Sequence, residues 1–422
     1  MRGNLEESRS LTMEAMSNLS KQLPHTMAFP NALGTGLVIQ SALDANAPIA
    51  IPPLLGGTGI TGSIYLYDAI DIFIDEYETA LSRFRTSSLV TRMRQAKYGG
   101  TFDFPDWCGP LFDLYDRLFD ATDGAIDPCV GEDLIRLGYD ATYSFTVESD
   151  AFCSSDARNS GGYGNAGGDI CGENRADYNT DMGSSNRYPQ PDGHLGAIHG
   201  RPTWHDDVER HGTTLITHRA VALDFGACGK GYLVDLIAGM LEAAHTAPQP
   251  VQYVIDAGGD LLIHADKPIT IALEDPADPA NAVGAVGISQ GAFCASAPSR
   301  RHWGEAAGHQ LHHLLNAIDG LPVDEVAATW VAVQAEQETT IATNPNSQRQ
   351  QEHPRTNRHP APGTAHSARS VHPTALADGL ATALFTTPAN QLRAHFAFDC
   401  AILNADRTAA QSAGFPGGFF VR

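Results

Sequence analysis

Hydrophobic and polar positions along the chain fall into blocks of different period. Gly34 to Leu43, GTGLVIQSAL, is short and apolar-rich and predicts a strand. The acidic, regularly apolar segment from about Tyr67 to Phe84 predicts an amphipathic helix ending at SRFRTSSLV. Phe112 to Phe119 predicts a second helix, broken by DATDGAIDPCVG. The run GYLVDLIAGMLEAA predicts a third, and Ala375 to Phe385 carries helix-forming residues without a break. Val251 to Ile255 and Leu261 to His264 read as short strands flanking AGGD, and Ile269 to Leu273 as another. Strands and helices alternate irregularly with no equal-length repeat, which indicates an α+β or mixed α/β fold.

Two stretches lack either period. From about residue 142 to 203 the chain is rich in Gly, Ser, Asn and Asp, and from about 336 to 373 it is polar and proline-containing. Neither can bury enough apolar surface to offset its ordering entropy, so both are expected to be flexible insertions in one catalytic domain spanning 29–422, behind an N-terminal extension of residues 1–28.

The chain has 422 residues, 42% of them apolar, enough for a sizeable core. Its 27 basic and 49 acidic residues leave a net charge of −22, which argues against nucleic-acid binding. An anionic ligand would have to be held locally, by a lysine, backbone N–H groups or a metal ion. The N-terminus holds no apolar run long enough for a signal-peptide core or a membrane span, so the expected compartment is the cytoplasm. Cysteines 108, 129, 153, 171, 228, 294 and 400 form no CxxC pair and are odd in number, suggesting core residues or free thiols rather than a disulfide framework.

The stretch LDFGACGKGYLVD, Leu223 to Asp235, holds three glycines, a lysine and two carboxylates. It is not a Walker loop: two residues separate Gly226 from Gly229, and Lys230 is followed by Gly231 rather than Ser or Thr. Nor does it fit the dinucleotide-binding register. Taken alone it is either a strand-to-helix turn whose glycines satisfy backbone geometry or an anion site, with Lys230 at a helix start.

Four further stretches change the picture: DGAIDP (Asp123–Pro128), VIDAGGDL (Val254–Leu261), HLLNAIDGLPV (His313–Val323) and ADGLATALF (Ala377–Phe385). With LDFGACGKGYLVD and a serine-containing turn, they resemble in order the motifs of the FAD:protein FMN transferase family, the ApbE-like proteins. The likeness runs from ALGTG near Ala32 to the final GFPGGFF. It implies a single ApbE-like fold with mixed sheets and flanking helices.

The resemblance places Mg²⁺ on Asp378, Thr382 and the carbonyl of Ala227. Asp378 and Thr382 lie one helical turn apart, a spacing that suits a hard cation but equally suits a helix N-terminal aspartate with a back-bonding threonine. FAD is placed by likeness on Leu33, on Ala125, Ile126 and Asp127, and on Asp224 and Lys230. Ser296 lies in CASAPSRR, where ASA replaces the family's TSG, and is expected to serve as a phosphate donor to FAD; a catalytic thiolate at the nearby Cys294 has no activating partner in the sequence. His313 matches the motif histidine and is the first candidate for the general base, Asp256 the second. Asp260 is expected to cap its turn. Asn316, Ala317 and Asp319 depart from the family pattern, so an altered turn is expected. His309, His312 and His313 also suggest a transition-metal cluster, a weaker reading. His194, His199, His205, His211, His353, His359, His366 and His372 read as solvated surface.

The implied activity is Mg²⁺-dependent transfer of the FMN moiety of FAD to a Thr or Ser hydroxyl of an acceptor protein, releasing AMP. Two rivals stand beside it: water as acceptor, making an FAD pyrophosphatase, and a flavin-binding protein without turnover.

Overall fold

The computed structural model describes residues 22–55, 62–149, 151–152, 195–305, 309–334 and 372–420. Nine strands form the main sheet: β1 (His25–Phe29), β2 (Leu37–Ser41), β3 (Tyr253–Ala257), β4 (Asp260–Asp275), β5 (Asp278–Ser296), β6 (Val326–Val333), β7 (Asp399–Asn404), β8 (Ala409–Gln411) and β9 (Gly417–Phe419). Strands β1 to β8 lie side by side in chain order, and β9 returns to pair with β5. Every pair in it is antiparallel, which sets the fold in the α+β class. The long helices are α1 (Leu66–Leu81), α2 (Gly109–Ala121), α3 (Gly229–Ala244) and α4 (Pro373–Ala383). None of the helices among the described residues is long and apolar enough to cross a membrane.

Strand alternation divides the core in two. In β6, Ala328, Trp330 and Ala332 face one cluster with Phe293 and Leu403, while Val331 and Val333 face the helices. On the helix side Thr329 donates from Oγ1 to the Ala381 carbonyl of α4 at 2.6 Å, and Cys294 in β5 lies 3.6 Å from the Thr374 carbonyl. Helix α3 is apolar nearly all round because it is buried nearly all round. It crosses α4 so closely that a Cβ on Gly231 would stand 2.3 Å from the Thr374 carbonyl oxygen. One turn further on, Asp235 accepts from the backbone N–H groups of Thr374 (3.0 Å) and Ala375 (2.8 Å), closing the N-terminus of α4.

Three expectations are corrected. The two strands predicted at Leu261–His264 and Ile269–Leu273 are one strand, β4, whose register against β5 shifts between Ile288 and Gln290; a bulge absorbs the polar ADKP. The apolar run before the glycine-rich turn, Val221 to Leu223, is buried but unpaired in any sheet, and Asp224 instead donates its N–H to the Pro128 carbonyl at 2.7 Å. The edges of the first insertion are built into the structure. Tyr143 stacks on Phe84 at 5.0 Å, Leu195 is fully buried, and Arg201 makes buried ion pairs with Asp127 (3.4 Å) and Asp133 (2.7 Å). Residues 153–194 and 335–371, the bulk of both expected insertions, lie outside the described residues.

Two alanine variants in α3 should separate propensity from packing. Gly231→Ala is expected to destabilise by about 1–3 kcal/mol through overpacking against α4. Gly239→Ala, where an added Cβ meets nothing within 4 Å, should stabilise by about 0.5–1 kcal/mol. Urea denaturation of the two variants checks both signs.

Candidate functional site

The turn Asp224–Gly229 is held from inside. Asp224 Oδ1 accepts from Gly226 N at 2.6 Å, and Oδ2 pairs with the Arg83 guanidinium. Burial works to raise the pKa of Asp224, but the Arg83 charge and these hydrogen bonds outweigh it and hold the carboxyl below its ordinary value. Tyr77 donates its hydroxyl to the Gly229 carbonyl at 2.7 Å, fixing the start of α3.

Lys230 follows, with Nζ 2.9 Å from Asp260 Oδ2 and 3.1 Å from Asp378 Oδ1. Asp378 Oδ2 also accepts from Gly231 N at 3.1 Å. Both carboxylates are 1% exposed, so one ammonium serves two buried negative charges. Burial and then the Asp260 charge raise the pKa of Asp378, with Lys230 pulling the other way. Burial opposes the Lys230 charge, yet the two carboxylates overcome it and hold the ammonium above its usual range.

The turn-capping role expected of Asp260 belongs to Asp256, whose Oδ1 accepts from Gly259 N at 2.9 Å. Gly258 and Gly259, with φ of 68° and 103°, make the tight hairpin turn between Ala257 and Asp260. Strand parity then sends Asp260 towards α3 and leaves Asp256 on the cavity.

A cavity of about 1090 Å³ opens beside this triad. Leu33, Ala125, Ile126, Asp127, Asp224, Ala227, Lys230, Asp256, Ser296, His313 and Thr382 all line it, and Asp378 is buried behind Lys230. Thus seven separate segments meet at one space. Leu33 sits at the cavity with a left-handed backbone (φ 52°), its N–H donated to Glu78 Oε1 at 2.7 Å. Ala125 accepts from Ala317 N at 3.1 Å, which joins the DGAIDP turn to the His313 segment. The Asp127 carboxylate is spent on Cys129 N (2.7 Å), Trp204 N (3.2 Å) and Arg201, a structural use that the sequence did not suggest.

His313 has a buried Nδ1 with no hydrogen-bond partner. Burial, followed by the charges of Arg301, His312 and Lys230, lowers its pKa to about 3, so the ring is neutral near pH 7 and able to accept. The residues that depart from the family pattern rebuild the turn after it: Asn316 Oδ1 accepts from Ile318 N and Asp319 Oδ1 from Leu321 N, each at 3.0 Å. Cys294 is fully buried and burial pushes its thiol well up, against a thiolate role.

His312 Nδ1 accepts from Leu314 N at 3.2 Å, and no group of three or more His, Cys, Asp or Glu poised for a metal occurs among the described residues. His372, read as solvated surface, instead packs edge-on against Tyr232 at 4.9 Å. His199 is half-buried with an unpartnered Nε2, while His205 and His211 are exposed as expected. His194, His353, His359 and His366 lie outside the described residues. Sequence reasoning missed Arg83, Glu78 and Arg301 as cavity residues; SRFR and the end of CASAPSRR held the local signals, each a pair of arginines in an acidic chain.

Burial pushes Asp235 up to about 7 despite its two backbone donors. Between about pH 4 and 7 the folded state therefore holds a proton that the unfolded state has lost, and this group makes stability fall as pH rises through that window. Asp235→Asn should remove that part of the slope. Urea midpoints at pH 5 and pH 8 are expected to differ less in the variant than in the wild type.

Residues 190–352 match the family model described as the ApbE family. No curated protein sequence matches the chain. Among solved structures, the ApbE protein of Thermotoga maritima superposes with a TM-score of 0.59 at 16% identity, covering 92% of this chain and 96% of that one. The flavinyl transferase ApbE of Pseudomonas stutzeri gives 0.56 at 18% identity over 92% and 94%. The flavin transferase ApbE of Vibrio cholerae gives 0.56 at 17% over 92% and 97%. The chain thus shares the fold of these structures, and its residues 190–352 match the ApbE family model.

Proposed function

We propose that the protein transfers the FMN moiety of FAD to a Thr or Ser hydroxyl of an acceptor flavoprotein and releases AMP, with Mg²⁺ as cofactor. The observation that carries this reading is the convergence of seven sequence segments on one cavity of about 1090 Å³ backed by the Lys230–Asp260–Asp378 triad. Two of the solved structures that share the fold are flavin or flavinyl transferases.

The residues present suit a hard cation. Two buried carboxylates share one ammonium and leave an excess negative charge. The Ala227 carbonyl oxygen lies 4.0 Å from where a Cβ on Gly379 would stand, so the glycine turn faces the α4 residue next to Asp378. Carboxylate, hydroxyl and carbonyl from Asp378, Thr382 and Ala227 make an oxygen set of the magnesium type. When bound, Mg²⁺ supplies charge neutralisation to the diphosphate.

Leu33, Ala125 and Ile126 offer apolar wall to the flat rings of FAD. Ser296 offers a hydroxyl donor, while the Lys230 ammonium is already within 3.3 Å of three carboxylate oxygens. The acceptor oxygen forms a bond to the phosphorus of the FMN half as the bond to AMP breaks. Neutral His313 receives the hydroxyl proton at Nδ1, with Asp256 the second candidate. Weak basicity suffices where the transition state is loose and catalysis rests on positioning.

Purified full-length protein, FAD, Mg²⁺ and an acceptor bearing a flavinylation threonine should yield covalent flavin fluorescence on the acceptor. FMN and AMP without labelling would instead establish a pyrophosphatase, and neither product a binding protein. His313→Ala is expected to lower transfer by about 10²–10⁴-fold with FAD affinity little changed; an unaltered rate removes it from the mechanism, and the same comparison with Asp256→Ala decides its part. Chelation should abolish transfer and added Mg²⁺ restore it.

A further inference from the structure

The cations that line the cavity are not equivalent. Lys230 is matched by two carboxylates, Arg83 by Asp224, Arg85 by Glu78 and Asp75, and Arg300 by Glu274. Arg301 faces the same cavity and has no carboxylate partner among the described residues; its Nη1 donates to the Tyr139 hydroxyl at 2.7 Å. Arg83 converges on the same tyrosine, donating from Nη1 to the Tyr139 carbonyl at 2.7 Å with its guanidinium 4.7 Å from the ring centroid. Its other terminal nitrogen, Nη2, is buried and has no acceptor, although the side chain is only 6% exposed. Two guanidiniums therefore flank Tyr139 with one carboxylate, Asp224, between their two charges. That corner carries one excess positive charge and a buried donor without an acceptor, in a protein of net charge −22.

We infer that Arg301, with Arg83 Nη2, is the phosphate seat of the cavity. On the flavin-transfer reading, on which the occupant's identity rests, the phosphate held there is that of the FMN half, the one attacked beside His313. The ring of His313 lies 6.3 Å from that of Tyr139, within the same corner. This moves the main anion clamp away from Lys230, whose charge the two aspartates already exceed. A guanidinium at this place stabilises negative charge spread over the phosphate oxygens while the P–O bond to AMP breaks and that to the acceptor forms.

The test is binding rather than turnover. Inorganic pyrophosphate, FMN and riboflavin are titrated by calorimetry in Mg²⁺ buffer into the wild type, Arg301→Gln, Arg301→Lys and Arg300→Gln. Arg301→Gln should weaken pyrophosphate and FMN by about 10- to 100-fold and leave riboflavin unchanged. Arg301→Lys should recover part of the loss, and Arg300→Gln should behave as wild type because Glu274 already matches its charge. An unaltered thermal midpoint for Arg301→Gln shows that the variant folds. Wild-type affinity for pyrophosphate in Arg301→Gln, or no pyrophosphate binding by the wild type, overturns the seat. Pyrophosphate binding that depends on Arg301, with neither flavin bound, upholds the seat and overturns the flavin reading.

Discussion

A single ammonium between two buried carboxylates organises this molecule. Lys230 enters from the first turn of α3, Asp260 from the start of β4 and Asp378 from the middle of α4, so three elements remote in sequence are pinned at one point. Buried ion pairs add little net stability, because desolvation consumes most of the Coulombic gain. They do exclude alternatives: shifting α4 along α3 would leave charged groups unmatched in a medium that cannot solvate them. Small residues make the arrangement sterically feasible. A Cβ at Gly231 would collide with the Thr374 carbonyl, and one at Gly379 would come within 2.7 Å of Cys228 Sγ.

The cavity follows from that pinning. With α3 and α4 fixed against the helix face of the sheet, the turn that carries Asp224 and Ala227 is left at the rim, and Arg83 is drawn in by Asp224. Around it the strongly acidic chain places cations matched one by one with carboxylates, except at the corner shared by Arg301 and Tyr139. Global charge and local potential are therefore opposed, as they must be where an acidic protein is to hold an anionic ligand. Arg201 plays a quieter part. It bonds to Ala317 O at 2.6 Å and pairs with Asp127 and Asp133, so the chain returning from the first long polar stretch helps hold the His313 turn.

Periodicity and turn chemistry made the helices, three of the nine main-sheet strands (β2, β3 and β4) and the site-bearing segments legible, because those signals are local: α1, α2, α3 and α4 fall within a few residues of the expected positions. The cavity contacts of Leu33, Ala125, Ile126, Asp224, Ala227, Lys230, Ser296, His313 and Thr382 were legible through ordered motifs. What lay beyond the sequence was pairing. Lys230 and Asp378 are 148 residues apart and Arg83 and Asp224 are 141 apart, and no spacing rule connects such positions. Whether Asp256 or Asp260 reached Lys230 depended on strand parity across a hairpin, a matter of one residue's register. Which cavity cations were already neutralised, and which remained available, was decided only when the chain closed, because charge compensation acts through space and not along the backbone.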